Sequence, residues 1–165
     1  MQSFEEPTPG AVNSVGRGAN FAPEPVFSVS SRTFVTGFDL ELSAPGDPAA
    51  QIRYLLVNNA ASAALTNVPG TNSPLYLGPI AVTNTVQVRA RAFRTGCLPG
   101  VPRTESYVQI NSNLATFASD VPLVLMHNFG AGEFPTGEGS LDRSTIMMVF
   151  DPVLGRSSLT NRPHL

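Results

Sequence analysis

The chain has no lysine. Its ten basic residues are all arginine, which excludes every chemistry that needs a lysine: a phosphate-loop lysine, a Schiff base, the strand lysine of a kinase. Tryptophan is also absent, so the aromatic set is confined to ten phenylalanines and three tyrosines. Cys97 is the one cysteine. It has no intramolecular disulfide partner, and a four-cysteine metal site is excluded. With Gly96 and Leu98 beside it and no base close in sequence, it reads as a small apolar or turn residue rather than a reactive thiol. Charged residues make up 13% of the chain, about half the typical quarter. The net charge of −2 offers no basic footprint for nucleic acid. No apolar run approaches the ~20 residues of a membrane-spanning helix. The opening MQSFEEPTPG is acidic and lacks the apolar stretch of a signal peptide. No N-x-S/T sequon occurs.

What is present is apolar content and punctuation. The hydrophobic fraction is 42% of 165 residues, enough for a core in one domain or two small ones. Fifteen prolines and fourteen glycines exceed the ordinary share, suit short strands and turns, and argue against a helical bundle. Residues 1–24 carry prolines and glycines too densely for a regular element and read as a linker and the end of a preceding domain. From Val26 the pattern alternates. Phe27 and Val29 alternate with serines. In FDLELS, Phe38, Leu40 and Leu42 point one way and Asp39, Glu41 and Ser43 the other, the period of a half-buried strand. APGDPA (44–49) is a turn by composition. In QIRYLLV, Ile52, Tyr54 and Leu56 share a face. A polar connection over 58–74 has room for a helical turn at 62–65. Leu75-Tyr76-Leu77, a Gly78-Pro79 break and Ile80-Ala81-Val82 follow.

The strongest strand is TVQVRARAF (85–93). Val86, Val88, Ala90 and Ala92 share one face, while Gln87, Arg89 and Arg91 share a face that must be solvated or paired. RTESYVQI (103–110) is the next strand. Residues 111–120 read as a linker or short cap. Two further strand-like runs, VPLVLM (121–126) and TIMMVF (145–150), flank a glycine-rich loop. Strands every 8–12 residues with turns between them predict an all-β antiparallel sandwich over 25–112. An additional, partial β segment over 113–165 reads as a linker and the start of a following domain.

Catalysis has little material. His127 and His164 are the only histidines. Asp120 and His127 stand at the two ends of one apolar run, with Ser140 in the loop beyond, and no G-x-S-x-G elbow is present. His127 is expected at a strand end, bonded to backbone. Gly130-Ala131-Gly132 follows a strand as a phosphate-cradling turn would, but Glu133, Pro135 and Gly137 deny the helix that should come next. H-R-D and D-F-G are both missing, so no kinase machinery is present. Asp39, Glu41 and Asp47 lack the alternating spacing of a calcium loop. The expectation is therefore no catalytic residue, no metal and no cofactor. For a ligand, the exposed candidates are Tyr76 and Phe93 as aromatic surfaces, with Arg89 and Arg91 as contacts to a carboxylated glycan. The competing expectation pairs these arginines with Asp39 or Glu41 across a sheet.

FDLELSAPGDPAAQIRYLL, SPLYLGPIAVTNTVQVRARAF, the Gly96-to-Gly100 turn and TESYVQI together resemble the chitobiase/β-hexosaminidase C-terminal-type domain. This is an Ig-like, fibronectin-III-like sandwich of bacterial multidomain surface proteins. The resemblance covers about 25–110. Where that family carries a T-D-G-S-x-P turn, this chain reads LVNNAASAALTNVPG. PTPGAVN looks like the end of a lamin-tail-type domain. SDVPLVLMHNFGAGEFP and IMMVFDPVLGRSSLT look like the lead-in to a CotH-type, spore-coat kinase-like domain. The resemblance implies a non-catalytic accessory module of an extracellular or envelope-anchored bacterial protein. It would space or present a neighbouring domain, with neighbouring domains of the same polypeptide as its partners. The alternatives are a carbohydrate-binding module contacting polysaccharide, or a fragment of a larger kinase-like or hydrolytic enzyme.

Overall fold

A computed structural model describes residues 20–59, 61, 67–133 and 144–164. Among them the chain is built of short strands: β1 (Val26–Phe27), β2 (Arg32–Phe34), β3 (Phe38–Leu40), β4 (Leu42–Ser43), β5 (Gln51–Val57), β6 (Ile80–Val82), β7 (Val86–Phe93) and β8 (Arg103–Gln109), then α1 (Ser112–Ala115), β9 (Ala118–Ser119), β10 (Leu123–His127), β11 (Ile146–Phe150) and β12 (Ser157–Ser158). The fold is all-β, as the alternation predicts. The expected helical turn at 62–65, the loop serine Ser140 and most of the 1–24 linker lie outside the described residues.

The largest sheet runs β2-β8-β7-β5. Its centre is antiparallel, with Ala90 opposite Tyr54 and Val88 opposite Glu105. β2 joins β8 in parallel, Thr33 beside Val108. β7 buries alternate residues along its whole length, so a period-two sequence yields a strand with one dry and one wetter face. Two small antiparallel pairs, β1-β4 and β3-β6, contribute Phe27, Leu40, Leu42 and Val82 to a first core with Ile52, Val88, Ala90, Ala92 and Tyr107. Tyr107 is fully buried there, its hydroxyl donating to the Val29 carbonyl at 2.5 Å and its ring meeting Phe38 edge-on at 5.3 Å.

A second core lies elsewhere. Val57, Val108 and Ile110 pack with Phe129, Ile146, Met148, Phe150 and Leu159. The first three belong to, or directly follow, the large sheet; the others belong to the C-terminal segment. β10 and β11 form an antiparallel pair, Leu125 opposite Met148, and β9 pairs with β12. The Thr33 hydroxyl donates to the Leu159 carbonyl at 2.5 Å. The described residues of the C-terminal segment are thus packed against the large sheet rather than trailing from it. β8 is buried on both faces over Glu105–Val108, which the sequence pattern alone does not announce.

One facing assignment is corrected. Leu56 was expected to turn inward with Ile52 and Tyr54, but it is 39% exposed and opens on a shallow depression beside Ile80 and Val86. Val57, one residue on, is buried instead because the second core covers the opposite face at this end of β5. Leu75–Leu77 forms no strand. Leu75 bridges Arg53, and the Tyr76 N–H donates to the Ile52 carbonyl at 2.8 Å, an irregular edge along β5. At the other end of the sheet, Gly100 is required by close approach. A Cβ there would sit 2.6 Å from the Pro23 carbonyl oxygen and 2.8 Å from that of Ala22, closer than non-bonded atoms tolerate.

Candidate functional site

The register of β5 with β7 sets the candidate ligand face. Gln51 lies opposite Phe93, Arg53 opposite Arg91 and Leu55 opposite Arg89. With Ile52, Ala90 and Ala92 in the first core, these side chains lie on the other side of the sheet. Three arginines therefore share one sheet face. Like charges directly opposite repel, and the forks of the facing pair are drawn apart to neutral oxygens. Arg53 Nη1 donates to the Ser73 carbonyl at 2.9 Å, and Arg91 Nε donates to the Gly100 carbonyl at 2.7 Å. Arg89 donates to Gln87 Oε1 through Nε and Nη2, at 3.2 and 3.0 Å, and to the Asn67 carbonyl at 3.2 Å. The Arg91 guanidinium carbon stands 5.8 Å from the centre of the Phe93 ring, within cation–π range.

Of the four residues expected to form a ligand face, Arg89, Arg91 and Phe93 come together and Tyr76 does not. Tyr76 packs partly buried against the first core, its ring edge-on to Tyr54 at 6.5 Å. The expected pairing of Arg89 and Arg91 with Asp39 or Glu41 is replaced by the neutral partners just described. Asp39 belongs to β3, whose hydrogen-bonded neighbour is β6 rather than β7. Arg53 escaped the sequence reading. Only the register of β5 against β7 puts it on the arginine face, and register is not visible in one strand.

The residues considered for catalysis stay apart. Asp120 forms an ion pair with Arg156, and His127 closes β10 at its far end. There the Phe129 N–H donates to His127 Nδ1 at 3.1 Å, the backbone bond expected of a strand-end histidine. Burial beside Phe129 pushes the His127 pKa below the ordinary histidine range. His164 Nε2 meets Asp151 Oδ2 at 3.2 Å on the surface. Gly130 and Gly132 adopt positive φ, and the Asn128 amide caps the turn on the Gly132 carbonyl. No helix starts among the described residues of that loop.

Asp47 pairs with Arg94 at 2.5 Å. That hydrogen bond, helped by the backbone N–H groups of Ala49 and Ala50, holds its carboxyl below the usual carboxylate range. Among the described residues no three His, Cys, Asp or Glu side chains converge as a metal site, and no helix is long and apolar enough to cross a membrane. Comparison with protein-family models, with curated proteins and with solved structures finds no match for this chain.

Proposed function

We propose that this chain is an Ig-like sandwich acting as a non-catalytic accessory module. In this reading it belongs to a secreted or cell-surface bacterial multidomain protein and holds a neighbouring domain at a fixed distance and angle. The observation that carries the reading is the second core. Phe150, Met148 and Ile146 on one side and Val57, Val108 and Ile110 on the other make the exit from the sandwich a packed joint instead of a flexible tether. A packed joint transmits orientation, whereas a solvated linker transmits only reach. The resemblance of residues 25–110 to the chitobiase C-terminal-type domain points the same way.

The test is a distance measurement. Spin labels at Thr83 and Thr160, both on the surface, should give one narrow distance distribution that survives Arg91→Ala. A broad distribution overturns the rigid-spacer reading.

A second reading, carbohydrate binding, is favoured by the Arg91–Phe93 contact and the arginines around it. Binding of a polysaccharide at micromolar affinity, abolished by Arg91→Ala, would replace the spacer with that function.

A further inference from the structure

We propose that the cleft between the β1–β2 loop and the C-terminal segment 160–164 binds the anionic group of an acidic saccharide. The cleft consists of two adjoining hollows of about 500 and 390 Å³ that share Ser30, Ser31 and Arg162. One wall is the loop leading into β2, the other is the end of the described chain, and Arg103 and Glu105 of β8 line the space between them. None of these segments is near another in sequence.

The charge of the cleft is settled by how Glu105 is used. Its Oε1 accepts from Arg103 Nε and Nη2 at 3.0 and 2.8 Å. Its Oε2 accepts from the Ser31 N–H at 2.7 Å and the Ser31 hydroxyl at 2.5 Å. Both oxygens are saturated, so this carboxylate serves the scaffold and fixes Arg103 in place, with Phe27 beneath the guanidinium at 5.8 Å. Arg162 lines both hollows, and its guanidinium has no hydrogen-bond partner among the described residues. Arg32 lines the second hollow and spends its Nε on the Thr33 carbonyl at 3.3 Å. Three arginines thus face the cleft against one carboxylate that is already occupied. His164 adds a further nitrogen heterocycle, with Asp151 as its own partner. The protein as a whole is net negative, so the positive excess here is local. A guanidinium fork is matched to the paired oxygens of a carboxylate or sulfate.

The neutral part of the lining decides the rest of the ligand. Ser28, Ser30, Thr160 and Asn161 offer hydroxyl and amide groups, complementary to the hydroxyls of a sugar ring. No deep apolar hole is present in this lining to take a peptide side chain. The site is distinct from the Arg53–Arg91 face and goes beyond the spacing role.

The probe is an oligogalacturonate titrated into the intact chain by calorimetry at low ionic strength. Its neutral counterpart is a galactan oligomer of equal length, and its peptide counterpart an oligoglutamate. The oligogalacturonate should bind and weaken as salt rises. Arg162→Ala, at an exposed side chain with no partner to lose, should weaken it about tenfold with the melting temperature unchanged, Arg162→Lys should recover only part, and Arg91→Ala should change nothing. Equal binding of the neutral oligomer, tighter binding of the oligoglutamate, indifference to Arg162→Ala, or no binding at all would each overturn the proposal.

Discussion

The two cores of this molecule are made differently. The first is assembled from alternation. Leu40, Val88, Ala90 and Ala92 each sit at the inward position of a strand whose neighbours in sequence point out, and Tyr107 joins them from a strand buried on both faces. The second is assembled from exceptions. Val57 and Val108 occupy the face of the sheet that, a few residues away, carries Arg53, Arg89 and Arg91. One sheet face thus carries the first core, with Arg103 and Glu105 of β8 on the same side as Tyr107, and the other is divided into an arginine half and an apolar half. The divided face explains how a single sheet can both meet solvent and anchor the segment that follows it. Alternation specifies that a strand has two sides. It does not specify that one side will change character along its length.

The sharpest way to break this comparison is to empty the second core. Phe150 is fully buried there, and Phe150→Ala should cost about 3–5 kcal/mol. If the two cores fold as one unit, chemical denaturation will show a single transition with a lowered midpoint. If instead the Tyr107 region keeps its original midpoint while β10 and β11 lose hydrogen-exchange protection, the cores are separate units.

A smaller effect probes the first core. Tyr107→Phe removes the bond to Val29 and should cost about 1 kcal/mol. Burial, with the Glu105 charge nearby, raises the pKa of the Tyr107 phenol, so the folded state prefers it neutral. Its stabilising contribution is full below the unfolded value of about 10 and is lost as pH rises above it. The alkaline loss should be shallower in the phenylalanine variant, as thermal melts between neutral pH and pH 11 would reveal.

Smaller again is Ser157→Ala. The Ser157 hydroxyl is buried without a hydrogen-bond partner among the described residues, so removing it should raise stability by about 0.5 kcal/mol; a loss on urea denaturation would mean the hydroxyl has a partner after all.

The smallest effect concerns acid. Since burial lowers the pKa of His127, its contribution is present above the unfolded value of about 6.5 and fades as pH falls below it. The protection of β10 and β11 amides, measured against the intrinsic exchange rate at each pH, should fall between pH 7 and pH 5 while that of the first core holds. His127→Gln should abolish that difference. An equal fall in both cores would place the titrating group elsewhere.

Much of the fold was legible for the reason the first core was. β7 and β8 fall within a residue of their expected ends; in β7, eight alternating residues admit no other burial. β10 and β11 were legible as apolar runs, though not their seat on Val57, Val108 and Ile110. β2 was missed: Arg32–Phe34 is too short for a period, and its parallel partner lies over seventy residues away. Arg89, Arg91 and Phe93 could be placed on one face from spacing alone. Arg53 needed register. The cleft at Arg162 needed three distant segments to meet, and no local pattern encodes a meeting.

The parallel edge β2–β8 has a mechanical side. β2 is the first strand of the large sheet in sequence and β8 the last, the two running in the same direction. A pull on the chain before β2 and after β8 drags these strands past each other along their length, so their hydrogen bonds share the load and fail together. Antiparallel neighbours pulled from one end would open bond by bond, like a zip. A sheet resists tension best when the strands that open and close it in sequence are laid side by side in this way, and here the Thr33–Leu159 bond ties the C-terminal segment to the same edge.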